Sequence, residues 1–379
     1  MPGVGIARPS RALAALAVAL CLGHALGCPP SVPAPVAGAP EYQAHAFLPV
    51  PFGHVNVLGG NLLLQRRDLD FDTRLGNVAL GATWNSASPA WRYSFELSYD
   101  GATFVDASGA RHAVGGVANG QAIPGSLWVR VDARTLKTKG GLVHEFDATG
   151  RLAAVRWSSG AYPRLEYGTA FVAGALRVTE LRQLASAGDS LQLASFLYDA
   201  AGRLVRVEDR AGRRAELSYD AGGNLAAARD ALDLERGWPG FRYAYQGGAL
   251  VAVTTSENVR TEFSYRGRRV AAVRAVGEGD PRIEIAYGGR AGSGFTTTAR
   301  DPLGRVTRFT WDGSRRLLEV RNPAGERTGW TWAGLRPASV TTPAGVVTRW
   351  TWSGDDLAKE HQASGNVVSF LWEPGGEDR

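Results

Sequence analysis

Three aspartates alternate along Arg67-Asp68-Leu69-Asp70-Phe71-Asp72. Side chains two apart on a strand share a face, so Asp68, Asp70 and Asp72 would form a carboxylate row of the kind that attracts calcium. The row supplies half a site, because the sixth-position glycine and the distant glutamate of a calcium loop are missing. A solvated acidic edge is therefore the expectation. His45, His54, His112, His144 and His361 are dispersed without ligand spacing. His144 and Glu145 adjoin in a strand pattern, which points them to opposite faces. The chain has no Gly-x-Ser-x-Gly elbow, phosphate loop or His-Glu-x-x-His pair. No catalytic, cofactor-binding or metal-binding set emerges, and a non-catalytic protein without a cofactor is expected.

The remaining chemistry lies in aromatic rings, whose flat faces can stack on sugars but more commonly fill cores. Pairs of apolar or aromatic residues two apart recur at Phe196/Tyr198, Leu217/Tyr219, Tyr243/Tyr245, Phe263/Tyr265, Ile285/Tyr287, Phe309/Trp311, Trp330/Trp332, Trp350/Trp352 and Phe370/Trp372. The spacings between second members are 21, 26, 20, 22, 24, 21, 20 and 20. Leu165/Tyr167 and His144/Phe146 are weaker members. Rings at a fixed phase read as core. Trp128, Trp157 and Trp238 fall outside the phase and are better candidates for exposed contact, without amounting to a site.

Each unit reads as strand, turn, strand, turn. Tyr198-Asp199-Ala200-Ala201-Gly202-Arg203-Leu204 is answered by Tyr219-Asp220-Ala221-Gly222-Gly223-Asn224-Leu225 and by Trp311-Asp312-Gly313-Ser314-Arg315-Arg316-Leu317. Asp and Gly supply turn conformations. Second turns follow at Asp301-Pro302-Leu303-Gly304, Asn322-Pro323-Ala324-Gly325 and Thr342-Pro343-Ala344-Gly345, where proline is barred from a central strand. Such units predict an all-β chain whose tandem hairpins of about 21 residues stack into one antiparallel sheet with an aromatic ladder.

The start of the chain reads differently. Arg8 and Arg11 precede an apolar run from Ala12 to Gly23, too short for a membrane span, and Ala25-Leu26-Gly27 precedes Cys28. Residues 1–27 are expected to be a signal peptide, and Cys28 a lipidation site, although ordinary cleavage after Gly27 also fits. Residues 28–46, rich in Pro and Ala, read as a tether. Cys21 and Cys28 are the only cysteines, so no internal disulfide remains in the exported form. The net charge of +6 comes from arginines scattered among acids, with lysine only at 137, 139 and 359. That dispersion argues against nucleic acid.

The Tyr-Asp-x-x-Gly-Arg-Leu run at 198–204 resembles the YD repeat of Rhs proteins and teneurins. Upstream, His54-Val55-Asn56-Val57-Leu58-Gly59-Gly60-Asn61-Leu62 resembles the start of the segment that precedes Rhs repeats. Phe71 to Ala79, Thr83-Trp84-Asn85-Ser86, Trp91-Arg92-Tyr93-Ser94 and Asp106 to Arg111 continue the likeness, which spans residues 50–372. The resemblance implies a curled sheet of the kind that forms a toxin-enclosing shell. It also implies too few repeats here to close one, and no toxin domain follows Trp372. The shell's self-cleavage motif pairs two Asp-Pro-x-Gly-Leu runs; here Asp301-Pro302-Leu303-Gly304 is followed by Arg305, so a repeat turn is expected rather than autoproteolysis.

The expected layout is an N-terminal β region at 47–135 that caps the array, repeats at 136–372 and an acidic tail at 373–379. The expected role is an exported scaffold, at the outer membrane, the cell surface or free in the medium, that binds a protein or carbohydrate partner. Any membrane contact would come through the lipid anchor alone. The alternative is a partial shell that encloses an effector supplied by a second Rhs chain.

Overall fold

The computed structural model describes residues 47–370, except 125, 127, 139, 278, 291–293, 335 and 354–355. The expected leader, Cys28, the tether, Trp372 and the acidic tail lie outside the described residues. The described chain folds into three antiparallel sheets and one short helix. Five strands, Phe47–Val50, Gly53–Asn56, Leu62–Thr73, Gly76–Asn85 and Trp91–Tyr93, pair in sequence order. Ser98–Tyr99, Thr103–Val105 and Arg111–Ala113 form a small second sheet. From Trp128–Arg130 to Val367–Ser369 the chain builds a 23-strand sheet in which every strand pairs with its neighbours in sequence. This sheet is open: no register among the described residues joins its first strand to its last.

A bulge recurs in the repeat hairpins. The ladder shifts at Tyr198 opposite Leu204, Tyr219 opposite Leu225, Tyr245 opposite Leu250, Tyr265 opposite Val270, Trp311 opposite Leu317, Trp332 opposite Pro337 and Trp352 opposite Leu357. A bulge leaves ladder groups unpaired, and buried carbonyls need partners. The following repeat supplies them. Tyr219 Oη donates to the Leu204 carbonyl at 2.7 Å, Tyr245 to Leu225 at 3.0 Å, Tyr265 to Leu250 at 2.8 Å and Tyr287 to Val270 at 3.0 Å. Trp332 Nε1 donates to Leu317 at 2.7 Å and Trp352 Nε1 to Pro337 at 2.8 Å. The ring that marks each repeat therefore closes the bulge of the one before.

The two irregular spacings have structural causes. The 26-residue unit holds the helix Ala231–Arg236, with Asp230 in a capping box and Gly237 left-handed at its C-terminus. The 24-residue unit has a hairpin, Arg282–Arg290 with Gly294–Arg300, whose register runs through without a bulge. No bulge carbonyl precedes Trp311, and its buried Nε1 has no hydrogen-bond partner.

The N-terminal region does more than cap. Residues 120–123 do cover the first edge: Ile123 N donates to Trp128 O and Arg130 N to Gln121 O. The five-stranded sheet, however, lies against the inner face of the array. Arg74 N donates to Gln183 Oε1, Val270 N to Gly60 O and Thr297 Oγ1 to Val57 O. Val55, Leu62, Leu64 and Trp84 share one core with Phe196, Leu217, Phe263 and Phe309. Gly60 has φ +77°, and a Cβ there would lie 2.6 Å from the Arg269 side chain. Trp311 is buried, whereas Trp330, Trp332, Trp350 and Trp352, on the strands beyond, are half-buried.

If the ring-to-bulge bond holds adjacent repeats together, Tyr265→Phe orphans the buried Leu250 carbonyl. Urea unfolding should then show a loss of about 1–3 kcal/mol with an unchanged m-value. A wild-type midpoint would show that the bond contributes nothing.

Candidate functional site

The repeat signature is consumed locally. Asp199 Oδ1 accepts from the Ala201 and Arg203 amides while Oδ2 accepts from Arg203 Nε at 2.8 Å. Asp209, Asp301 and Asp312 grip Arg213, Arg305 and Arg316 in the same way, at 2.7, 2.7 and 2.6 Å. Gly202, Gly212 and Gly304 take φ of 75–80° inside these turns, a region costly for a side chain. Backbone and side-chain bonds from Arg203 hold Asp199 below the usual carboxylate range, and Asn224 does the same for Asp220. Asp301, the first residue of the Asp-Pro-Leu-Gly run, is thus one turn clamp among several, as its phase predicts.

The inner junction is the most elaborate polar region. A bulge between Arg67 and Leu69 turns Asp68 inward while Asp70 and Asp72 stay exposed. The expected single face of three aspartates is therefore wrong, because the bulge breaks the period-two alternation. Asp68 binds buried Arg66 at 2.6 and 2.9 Å. Arg66 also lies 5.3 Å from the Trp91 ring and 5.9 Å from that of Tyr93. Burial opposes its charge, yet Asp68 holds the guanidinium well above its ordinary pKa.

Around this pair, Tyr93 Oη meets Tyr219 Oη at 3.3 Å and Trp91 Nε1 donates to Tyr245 Oη at 2.8 Å. Burial raises the Tyr93 and Tyr245 hydroxyls and pushes Tyr243 up to about 12. These hydroxyls stay protonated at neutral pH and serve as bridges between sheets. Glu96, absent from the sequence reading, is raised by burial and accepts from Tyr93 N at 2.8 Å. Its place in Ser94-Phe95-Glu96-Leu97, opposite in phase to Phe95 and Leu97, reads as solvent-facing in sequence; the covering array reverses that.

Beside the N-terminal sheet, an open groove of about 450 Å³ is lined by Phe52, His54, Gln65, Arg66, Thr83 and Ser94, among others. Burial lowers the His54 pKa. No carboxylate lines the groove to pair with it.

The other singled-out residues separate as follows. Trp128 is not an exposed contact: it packs between Phe104 at 4.8 Å and His144 at 4.6 Å. Trp157 is 37% exposed, and Trp238 is half-buried under the Arg236 guanidinium. His112 binds Asp106 at 3.0 Å, and Phe104 stacks on His112. His54 and His361 lie elsewhere, and His45 is outside the described residues. No group of three or more potential metal ligands occurs among the described residues.

The RHS Repeat family model matches residues 198–233 and 292–327, which contain the Asp199, Asp301 and Asp312 clamps. No curated protein matches the chain significantly. Among solved structures, a crystal structure of TcdB2-TccC3-TEV is similar at 12% identity and TM-score 0.41, over 82% of this chain and 19% of that one. TcdB2-TccC3-Cdc42 is similar at 12% identity and TM-score 0.40, over 80% and 18%. A Photorhabdus luminescens Tc holotoxin pore is similar at 10% identity and TM-score 0.27, over 84% and 21%. The chain thus spans about a fifth of the length of these proteins.

Two acid-sensitive elements follow. Burial lowers the His144 pKa from 6.5 to about 4. Between those values the unfolded chain binds a proton that the folded chain refuses, so stability rises with pH across the window. Acidification from pH 6.5 to 4 should cost up to about 3 kcal/mol, and His144→Phe should flatten that slope. The Asp199 and Asp220 turns act lower. Their depressed pKa values give stability that is present above the ordinary carboxylate value of 3.8 and lost as pH falls through the folded values. Urea midpoints taken across pH 3–7 check both elements; an unchanged slope in the His144 variant would exclude the first.

Proposed function

We propose that this RHS-repeat chain is a non-catalytic, exported scaffold that binds a protein or carbohydrate partner on the inner face of its curled sheet. The observation that carries the reading is the use made of the repeat residues. Tyr or Trp closes a bulge, Asp clamps a turn, Gly takes a left-handed conformation and Arg grips the Asp. Nothing in the signature is left over for chemistry, whereas a regular surface is produced in quantity. The half-buried Trp330, Trp332, Trp350 and Trp352 are the part of the inner face best suited to a partner, since rings bury large area at little entropic cost. Export through the 1–27 leader, anchoring at Cys28 and the division at residue 135 belong to the same proposal.

A second reading is a shell subunit completed by another polypeptide that carries further repeats or an effector. It is supported by strand Val367–Ser369, exposed at all three residues, because an exposed edge offers a template for pairing.

Solution mass and circular dichroism of the full chain, followed by a glycan array and co-purification, separate the two. A β-rich monomer that binds a ligand, with binding lost at least about tenfold in Trp350→Ala, supports the first reading. Defined oligomers, or a second polypeptide retained through purification, support the second. A folded monomer whose ligand binding ignores Trp350 rules out the inner-face site.

A further inference from the structure

Across most of the array, outer-face arginines are matched by carboxylates. Arg156 meets Glu145 at 2.7 Å, Arg206 meets Glu216 at 3.2 Å and Arg214 meets Glu216 at 3.3 Å. Arg260 and Arg274 share Glu262 at 2.9 and 2.7 Å, and Arg282 meets Glu284 at 2.5 Å. The matching thins after Glu284. In the next strands Arg308 lies opposite Arg321, and Arg321 lies opposite Arg327. Directly opposed residues share a face, so three guanidinium groups form one line across three strands, about 4.8 Å apart at the backbone. Arg300 is the diagonal neighbour of Arg308 and spends one N–H on the Gly304 carbonyl. Two carboxylates adjoin the line: Glu319, at 3.5 Å from Arg321 and 3.8 Å from Arg327, and Glu284, directly opposite Arg300 and already paired with Arg282. Arg308 is exposed and has no ion pair among the described residues.

We infer that Arg300, Arg308, Arg321 and Arg327 form a binding line for a sulfated or phosphorylated polysaccharide. Like charges placed directly opposite each other destabilise a sheet, and at Arg156/Arg164 and Arg274/Arg282, where arginines also face each other, a carboxylate pairs with each guanidinium. Guanidinium groups bind sulfate and phosphate oxygens through paired N–H donors. The line runs across the outer face, with Thr298, Thr310 and Gly329 beside it and the exposed Leu303 in the turn that follows Arg300. Positive charge set out in a line complements a linear polyanion, and an anionic membrane is the competing outcome of the test. This site goes beyond the inner-face reading, and the two fail independently, because Trp350 plays no part in it.

Heparin, a soluble sulfated polysaccharide, is the probe, titrated against the full chain at about 0.15 M salt. The triple variant R308Q/R321Q/R327Q should bind at least about tenfold more weakly and show a shallower salt dependence. The charge-matched R206Q/R214Q/R260Q, taken from the paired ladder, should lose less than about threefold. Equal losses in both variants would reduce the effect to net charge and overturn the site. So would absence of heparin binding, or binding only to vesicles of phosphatidylglycerol. Arg308→Gln alone gives a separate check: relief of like-charge opposition should leave the thermal midpoint unchanged or higher. A lower midpoint would make Arg308 a structural residue and sink the inference.

Discussion

The array depends on one recurring bond, from the hydroxyl or indole N–H of one repeat to a backbone carbonyl freed by the bulge in the repeat before it. A long antiparallel ladder needs curvature, and bulges provide it by disrupting pairing. That disruption would leave a buried acceptor in every bulged hairpin. Placing the donor on the next ring solves the problem at each step and ties each repeat to its predecessor through a side chain as well as a strand. Trp311 is the exception that supports the account: the hairpin before it lacks a bulge, and its N–H lacks an acceptor.

The choice between tyrosine and tryptophan at this position tracks the N-terminal sheet. A phenol donates and accepts, whereas an indole N–H only donates. Tyr219 and Tyr245 each give a proton to a bulge carbonyl and also meet a group from the covering sheet, Tyr93 and Trp91 respectively. Trp332 and Trp352 make the carbonyl bond with the single N–H they have. The covered part of the inner face therefore consists of bridges, with Arg66 and Asp68 neutralising each other between the layers. Rings without an accepting atom occupy the strands beyond Thr297.

Much of this was legible in residue spacing. The strand–turn–strand–turn unit, the fixed phase of the rings and the reading of Asp301 as a repeat turn follow from period-two alternation and turn chemistry, both local properties. The 26-residue gap announced an irregularity without revealing that it holds a capped helix. Asp68 was misplaced because a bulge shifts register by one residue and flips every face beyond it, and nothing in the Arg-Asp-Leu-Asp run signals the shift. Trp128 lay outside the phase yet packs in the core, since Phe104 reaches it from a sheet the repeat pattern does not describe. Glu96 and the docking of the five-stranded sheet depend on contacts between residues more than a hundred positions apart, as between Trp91 and Tyr245. The arginine line was hidden because Arg308, Arg321 and Arg327 look scattered until pairing aligns them.

The way the N-terminal sheet crosses the array bears on how the molecule would carry load. Strands joined only to their neighbours detach singly when pulled from an edge, as a zipper opens, and at low force. The five-stranded sheet touches the array at points from Gln183 to Thr297, so over that span no strand can leave without also shearing a second layer. Tension applied beyond Thr297 would peel the tryptophan-bearing strands one by one and then meet a clamped block. The chain is thus built as a compliant run joined to a stiff one, with the change in stiffness falling where the rings change from phenol to indole.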